Sequence, residues 1–252
     1  MTQVDLNCDL GESFGRYTLG LDDQVIPYIT SANIACGFHA GDPEVMQHTV
    51  DLAVASHVQL GAHPGLPDLQ GFGRRPMKIA PKAAKADVKY QIGALEAFAP
   101  THRLHHVKPH GALYNMAAKD YELAYQICEG IKEVDPQLML VGLANSELIR
   151  AAKAVGIPYE QEVFADRAYE ADGSLVSRQK EGAVIEDSDV AVKRTIKMLK
   201  EHQVTTIDGQ VISIQPDTIC VHGDGVKALA FVKQIHQALT AEGIDVVAAQ
   251  VK

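Results

Sequence analysis

The sequence lacks the features that mark membrane-spanning and exported proteins. No apolar run approaches the roughly 18 to 20 residues that a membrane helix needs. The N-terminal stretch MTQVDLNCDLGE has neither the basic region nor the apolar region of a signal peptide. The four cysteines are scattered and form no CxxC pair, which is typical of buried free thiols in a reducing compartment. We therefore expect a cytoplasmic protein without a membrane partner.

Concentrated positive charge is also missing. The chain has 23 lysine and arginine residues against 32 aspartate and glutamate residues, and its formal net charge is -9. No local basic run offsets this acidic balance, whereas nucleic-acid-binding proteins gather lysine and arginine on one surface. The composition therefore predicts no nucleic-acid partner.

Three common nucleotide-binding and catalytic motifs are absent. The sequence contains no GxxxxGK[ST] loop, no GxGxxG after its first predicted strand and no GxSxG elbow. No cysteine stands in a reactive context. Any nucleotide would therefore bind by a route that these motifs do not mark. Water activated by a carboxylate, a histidine or a metal is the expected nucleophile, and the predicted reaction class is hydrolysis.

Predicted strands and helices alternate along the whole chain, without a composition shift that would mark a linker. With 252 residues, 46% of them hydrophobic, the chain can bury one sizeable core, and we predict a single domain over residues 1–252. The alternation predicts an α/β fold, a parallel (β/α) barrel with seven clear strands and a doubtful eighth at 246–248. An open doubly wound sheet is the alternative. The clear strands are predicted at 4–9, 31–39, 58–62, 105–110, 138–143, 159–164 and 218–222.

The stretch SANIACGFHAGD at 31–42 is the clearest example of how the polar groups are placed. Alternate positions put Asn33 and His39 on one side of the predicted strand and apolar residues on the other. Asp42 and Pro43 then provide an N-cap and a first helical position for a helix that ends near residue 56. His39 is therefore predicted where a strand ends and a helix begins, which is the edge where parallel α/β folds bind ligands.

The same arrangement recurs on six predicted strands, because one side of each strand is polar and ends in an ionisable group. In a closed barrel these positions converge on the C-terminal mouth. Burying so many polar groups costs free energy unless they bond to one another or to a ligand. Each group taken alone is explained as a hydrogen-bonded core or rim residue, but the repetition favours a binding or catalytic site. The polar positions are Asp5, Asn7, Asp9, Asn33, His39, Gln59, His63, His106, Lys108, His110, Glu160, Glu162, Asp166, His222 and Asp224.

Individual residues of this region have different chemical uses. Asp9 and Glu12 lie at the exit of the first strand, where a carboxylate could act as a general base or a metal ligand. His39 and His63 stand at strand ends beside glycine and proline, where they are candidate ligands or acid/base groups. Lys108 lies inside an apolar strand and needs a carboxylate or an anionic substrate nearby, since an unpaired buried ammonium would lose its proton.

The arginines leave alternatives open. Arg74, in the glycine- and proline-rich loop at 64–77, is explained as a solvated surface residue or as a lid residue that holds a substrate carboxylate. Asp166 and Arg167 follow the sixth predicted strand, and they are explained equally well as a salt bridge on the rim or as functional residues.

Several segments resemble the LamB/YcsF family of lactam-utilisation proteins, over nearly the full length of the chain. They are VDLNCDLGESFG, ANIACGFHAGDP, GAHPGLPDLQGFGRR, VKPHGALYN, EVFADRAY and CVHGDG. The resemblance implies a seven-stranded (β/α) barrel related to polysaccharide deacetylases. It also implies ATP-dependent cleavage of 5-oxo-L-proline to L-glutamate by a multi-subunit 5-oxoprolinase, in which this chain would be the A subunit, dependent on partner subunits B and C. The matching segments contain Asp9, Glu12, His39, His63, Lys108, His110, Asp166, Arg167 and His222.

The residues and the resemblance together give one mechanistic hypothesis. A lactam is a resonance-stabilised amide, so attack by water needs an activated carbonyl. We expect ATP, with Mg²⁺, to phosphorylate the lactam oxygen, and Asp9 or Glu12 to direct water onto the ring carbon. Lys108 would hold the developing oxyanion or phosphate, and Arg74 or Arg167 would bind the substrate carboxylate. The predicted catalytic residues are Asp9, Glu12, Lys108, His110 and Asp166, and the predicted substrate-binding residues are Asn33, His39, His63, Arg74, Arg167 and His222.

Two other functions are open on the sequence alone. One is metal-dependent hydrolysis of an amide or N-acetyl group, with Asp9, His39 and His63 as ligands of a transition metal. The implied relation to deacetylases favours this alternative. The other is a regulatory or scaffolding subunit that keeps the barrel and only binds its partners, and the dense polar interior argues against it.

Overall fold

The computed structural model describes residues 2–221 and 226–249. The strands of these residues are β1 (Gln3–Leu10), β2 (Ser31–Ala35), β3 (Gln59–His63), β4 (His106–Val107), β5 (Met139–Leu143), β6 (Tyr159–Phe164), β7 (Gln203–Thr205), β8 (Val211–Ser213), β9 (Thr218–Val221) and β10 (Asp245–Val246). Seven parallel strands form a closed barrel, since β1 to β6 pair in chain order, β6 pairs with β9, and β9 pairs back with β1. The predicted parallel barrel is confirmed, and the open doubly wound sheet is wrong.

Helices connect the strands and pack against the outside of the barrel. They are α1 (Asp22–Val25), α2 (Pro43–Ala55), α3 (Pro81–Glu96), α4 (Gly111–Ala117), α5 (Tyr121–Val134), α6 (Glu147–Val155), α7 (Ser188–Glu201) and α8 (Val226–Ala241). Apolar residues on the inner helix faces, such as Ile127 and Ile131 of α5, pack with outward-facing strand residues such as Leu140 in one hydrophobic core. None of the helices in the described ranges is long and apolar enough to cross a membrane.

The strands outside the ring are short. β10 pairs with β1, where Val246 lies opposite Val4, so the predicted eighth strand exists but begins one residue earlier and does not enter the barrel. β7 and β8 form an antiparallel hairpin on the way to β9, and Gly209 in its turn has a positive φ of 85° that suits glycine. The barrel strands alone therefore position the groups at the mouth.

The second strand is shorter than predicted. It ends at Ala35, and the chain turns over 36–41, where Gly37 and Gly41 have positive φ angles of 90° and 78°. The prediction that His39 lies on a strand face is therefore wrong, because His39 is part of this loop. The loop still delivers the ring to the barrel mouth, where it is buried.

The helix that follows this loop is confirmed. Pro43 is its first residue, and the Asp42 side chain accepts hydrogen bonds from the backbone N–H groups of Glu44 and Val45 at 2.9 and 3.0 Å. This cap satisfies two of the N–H groups that a helix start leaves without intrahelical partners.

The fourth strand is also shorter than predicted, although its direction is right. The backbone N–H groups of Lys108 and His110 donate at 2.9 Å to the carbonyl oxygens of Ala62 in β3 and of Pro64 just after it, but Pro109 has no N–H group to donate. Helix α4 then begins at Gly111. That helix was not predicted, because the sequence HGALYN has no helix start signal. Its N-cap residue is His110, which is not one of the usual N-cap residues.

Candidate active site

Inward-facing side chains form a hydrogen-bonded polar column inside the barrel. At the N-terminal end of the strands, Asp5 accepts hydrogen bonds from Ser31 at 2.7 Å and from Thr218. Asn7, one step further along β1, donates to Thr218 at 2.7 Å. These groups are buried and bonded to one another, so Asp5 is explained as a structural residue of the barrel.

Asn33 lies beside Asp9 and orients it. Its Nδ2 donates to Asn7 Oδ1 at 2.8 Å and to Asp9 Oδ1 at 2.9 Å, and its Oδ1 accepts from His106 Nε2 at 2.8 Å. His106 reaches Asn33 across Gly61 of β3, where a Cβ would stand 2.0 Å from the ring Nε2. Burial lowers the pKa of His106 well below its ordinary value, so this ring is neutral. Asn33 holds the Asp9 carboxylate in this arrangement, and its predicted role in binding substrate stays a prediction.

Lys108 is buried at the mouth and is paired with two carboxylates. Its Nζ lies 2.7 Å from Glu162 Oε1 and 3.0 Å from Asp9 Oδ1, and it donates to Asn7 Oδ1 at 3.1 Å. Burial alone would lower the pKa of Lys108, but the nearby negative charges of Asp9 and Glu162 hold it well above its ordinary value. The ammonium therefore stays charged, and the prediction that Lys108 needs a carboxylate nearby is confirmed.

Further groups around Lys108 were missing from the predicted site residues. Tyr114 donates from its hydroxyl to Glu162 Oε2 at 2.6 Å, the Phe164 ring centroid lies 5.5 Å from Lys108 Nζ, and Cys220 Sγ lies 3.2 Å from it. Burial raises the pKa of Cys220 well above its ordinary value, so the sulfur is a thiol. Glu162 lies on the polar side of β6, which is a sequence signal for a site residue. No sequence signal marks Tyr114, because helix α4 was not predicted.

His63 and His110 face each other close to Asp9. His63 Nδ1 donates to the Lys108 carbonyl oxygen at 2.6 Å, and His110 Nε2 donates to the Phe72 carbonyl oxygen at 2.8 Å. The other two ring nitrogens, His63 Nε2 and His110 Nδ1, lie 2.9 Å apart, and Asp9 Oδ2 lies 3.3 Å from His63 Nε2. Burial lowers the pKa of His110 to about 3, so its protonated form is disfavoured.

His39 and Glu12 extend this cluster. The His39 ring stacks on the His110 ring with the centroids 3.7 Å apart and the planes within 3°. Gly65 permits this packing, because a Cβ there would stand 2.5 Å from His39 Nδ1. Glu12 Oε1 lies 3.6 Å from His39 Nε2 and 3.7 Å from His110 Nδ1. Burial lowers the pKa of His39 well below its ordinary value, so this ring is also neutral.

The cluster offers a donor set that a metal ion could use. One ligand atom each from Glu12, His39, His63 and His110 lies within 4.8 Å of the others. This group differs from the predicted metal ligands, because it contains Glu12 and His110 and does not contain Asp9, whose Oδ1 is bonded to Lys108. The predicted set of Asp9, His39 and His63 stays a prediction.

A cavity of about 570 Å³ opens onto these residues. Asp9, His63, Lys108 and His110 contribute to its wall, together with residues of α4 and of the segment 174–179. These four ionisable side chains therefore meet at one solvent-accessible space, as expected for the C-terminal mouth of a parallel barrel.

Two predicted substrate-binding arginines line the cavity in different states. Arg74 is exposed, and its guanidinium carbon lies 4.9 Å from the Phe72 ring centroid. Arg167 is buried and donates to the carbonyl oxygens of Val176 at 2.6 Å and Ala183 at 3.4 Å. Burial lowers the pKa of Arg167 to about 10. Arg74 is therefore the better placed of the two to bind a substrate carboxylate, and Arg167 anchors the loop after β6.

Two other predicted site residues are not part of the cluster. Asp166 is a charged neighbour of Arg167 and Arg194, and it is absent from the described residues that line the cavity. His222 lies outside the described residues. The structure brings together Asp9, Glu12, His39, His63, Lys108 and His110.

Comparison with known proteins agrees with the sequence resemblance. A protein from Clostridium beijerinckii that is named as a 5-oxoprolinase A subunit is 62% identical over 249 residues, which cover 98% of each chain. The protein of the same name from Bacillus subtilis is 55% identical over 250 residues, covering 98% of this chain and 97% of that protein.

Solved structures of other proteins share the fold of this chain. The lactam utilization protein of Thermus thermophilus superposes with a TM-score of 0.92 at 42% identity, over 98% of this chain and 100% of that one. The peptidoglycan deacetylase PdaC of Bacillus subtilis superposes with a TM-score of 0.50 at 11% identity, over 98% of this chain and 87% of that one, which shows a shared fold. The predicted deacetylase-like barrel is thus confirmed. The LamB/YcsF family model matches residues 4–252, and the chain belongs to the LamB/YcsF family.

Proposed function

We propose that this chain is the A subunit of a 5-oxoprolinase, which opens the ring of 5-oxo-L-proline to L-glutamate at the expense of ATP. The names of relatives that are 55% and 62% identical over nearly the whole chain support this function. The observation that supports it in the site is the buried Lys108 ammonium paired with Asp9 at the wall of the cavity. The proposal includes partner subunits B and C, without which the chain does not complete the reaction.

The proposed reaction activates the lactam before water attacks. Transfer of the γ-phosphoryl group of ATP, bound with Mg²⁺, to the lactam oxygen releases ADP and weakens the amide resonance. Water then adds to the ring carbon, the C–N bond breaks, and the nitrogen takes a proton to become the amino group. The resulting acyl phosphate is hydrolysed by a second water, which releases inorganic phosphate and L-glutamate.

Asp9 is the proposed base for the attacking water. Lys108 and Asn33 hold its Oδ1 at 3.0 and 2.9 Å, which leaves Oδ2 directed towards His63 at 3.3 Å. A carboxylate that is oriented in this way and lines the cavity can accept a proton from water without first having to reorganise. Glu12 makes its contacts with the His39 and His110 rings instead, so Asp9 is preferred over Glu12 for this role.

Lys108 is the proposed group that stabilises developing negative charge. Its Nζ donates to Asn7 Oδ1, Asp9 Oδ1 and Cys220 Sγ and forms an ion pair with Glu162 Oε1. Binding an oxyanion or phosphate oxygen therefore requires one donor to move from a neutral partner, Asn7 or Cys220. The exposed guanidinium of Arg74 at the cavity is the proposed partner of the substrate carboxylate, because arginine binds carboxylates through two parallel hydrogen bonds.

Reconstitution tests this function. The chain is assayed alone and with purified subunits B and C of a close relative, with 5-oxo-L-proline and ATP as substrates, for release of L-glutamate and ADP. We expect both products in the mixture and neither from the chain alone. Failure of the assembled mixture to release either product would contradict the proposal.

A further inference from the structure

The cluster of His39, His63, His110 and Glu12 contains two ring nitrogens whose protonation is fixed by their neighbours. His63 Nδ1 and His110 Nε2 each lie within 2.8 Å of a backbone carbonyl oxygen, which can only accept a hydrogen bond. Both nitrogens therefore carry hydrogen. When each ring carries only that hydrogen, His63 Nε2 and His110 Nδ1 present lone pairs to each other across 2.9 Å.

The atoms around these two nitrogens are electron-pair donors as well. Asp9 Oδ2 lies 3.3 Å from His63 Nε2, and Glu12 Oε1 lies 3.7 Å from His110 Nδ1. Asp9 is already paired with the Lys108 ammonium, but the donor atoms of Glu12, His63 and His110 repel each other unless a cation stands between them. The choice is between a single shared proton and a metal ion.

A shared proton explains only part of the cluster. A proton between His63 and His110 would leave His39 unexplained. That ring is 1% exposed, and neither of its nitrogens has a hydrogen-bond partner among the described residues. Buried polar groups without partners are rare in folded proteins.

We propose that His39, His63, His110 and Glu12 bind one divalent transition-metal ion of the Zn²⁺ class. Their ligand atoms lie within 4.8 Å of one another, with separations of 2.9, 3.6 and 3.7 Å between neighbouring pairs. Ligands at about 2.0 Å from a tetrahedral ion are about 3.3 Å apart, so small side-chain shifts complete the site. Three imidazoles select Zn²⁺ and its neighbours over Mg²⁺ and Ca²⁺, which prefer oxygen ligands.

The surroundings of the rings agree with this assignment. Metal-binding histidines almost always donate their second N–H to a carbonyl or carboxylate, which fixes the ring orientation. His63 and His110 both do so, through the Lys108 and Phe72 carbonyl oxygens. The parallel rings of His39 and His110 converge on one ion only after one of them turns. His39 is the ring that turns, because its nitrogens make no hydrogen bonds with the described residues that would have to break.

The test of metal binding does not depend on the proposed lactam chemistry, because it uses no substrate, ATP or partner subunits. The full chain is stripped with a chelator and titrated with Co²⁺, whose visible absorption reports nitrogen coordination, and then with Zn²⁺. We expect about one equivalent to bind, and excess Mg²⁺ not to displace it. Loss of a group that hydrogen-bonds a metal ligand typically lowers metal affinity about 10- to 100-fold. His39→Gln and His110→Gln each remove a ligand itself, so each should lower the affinity by more than this.

The matched control is His48→Gln. His48 lies on α2 with 68% of its side chain exposed, so its replacement should leave the absorption and the stoichiometry unchanged. Circular dichroism of the stripped variants shows whether they fold. If they do not, zinc-edge X-ray absorption of the loaded wild-type chain counts the imidazole ligands directly. A chain that binds no stoichiometric metal, binding that survives both ligand substitutions, or zinc coordinated by oxygen alone would each overturn the proposal.

Discussion

Replacing Lys108 with methionine removes the ammonium that pairs with Asp9 and Glu162 and keeps much of the side-chain length. The Glu162 side chain is 0% exposed and the Asp9 side chain 16% exposed, so neither carboxylate can be fully solvated after the change. Removing one partner of a buried ion pair typically costs about 3–5 kcal/mol. We expect Lys108→Met to lower the free energy of unfolding by this amount and to abolish turnover in the assembled complex.

A second substitution separates the two effects. Glu162→Gln in the Lys108→Met background removes the buried negative charge that was left without its cation. We expect the double variant to recover roughly 1–3 kcal/mol of the lost stability, which is the cost of an unsatisfied buried group, while turnover stays absent. The structural role of Lys108 would then be restored in part and its chemical role would not.

Urea unfolding followed by circular dichroism measures the stability, and release of L-glutamate and ADP measures the turnover. Lys82→Met is the control, because Lys82 is exposed on α3, and it should change neither quantity. If Lys108→Met turned over at the wild-type rate, the assigned role of the ammonium would be wrong. Unchanged stability would refute the reasoning about the buried charges.

Three further changes test other parts of the structure. Gly61→Ala would place a Cβ 2.0 Å from the His106 ring and should lower the free energy of unfolding in urea by about 1–3 kcal/mol. Gly93→Ala on α3 is the control, since a Cβ there would meet open space, and it should leave the stability unchanged or raise it. Burial and nearby carboxylates raise the pKa of Glu160 to about 9 from 4.5, so its protonated form stabilises the folded chain below pH 4.5. That contribution falls by up to about 1.4 kcal/mol per pH unit as the pH rises towards 9, and Glu160→Gln should flatten this slope in unfolding measurements across that range. Arg74→Gln should raise the KM for 5-oxo-L-proline about 10- to 100-fold, because a charged hydrogen bond to the substrate is lost. Arg103→Gln is the control, since Arg103 is exposed, and it should leave the KM unchanged. If Arg74→Gln had the same KM as the wild-type chain, Arg74 would not bind the substrate.

The barrel could be predicted because its signals are local and repeated. Strands such as β1 and β6 have one polar and one apolar side, and helices such as α2 begin at recognisable caps. The period of each segment and the alternation of segment types are enough to indicate a parallel barrel. The same alternation located Asp9 and Lys108 at the mouth, because parallel strands bring their C-terminal ends together.

The site could be predicted only in part, because its details depend on loops and on contacts between distant strands. The turn at 36–41 brings His39 against His110, a packing that strand alternation could not indicate. Glu162 was recognised as an inward polar residue, but its pairing with Lys108 depends on the closure of the barrel. Helix α4 has no capping signal, so Tyr114 was missed.

The central claim is that this chain supplies chemistry to the 5-oxoprolinase reaction and is not only a scaffold for its partners. The most direct measurement is L-glutamate and ADP release from 5-oxo-L-proline and ATP by complexes that contain either the wild-type chain or Asp9→Asn. Loss of a general base typically costs about 10²- to 10⁴-fold in rate, so we expect a loss of this size in glutamate release from a variant complex that assembles normally. Wild-type turnover by the assembled Asp9→Asn complex would contradict the account.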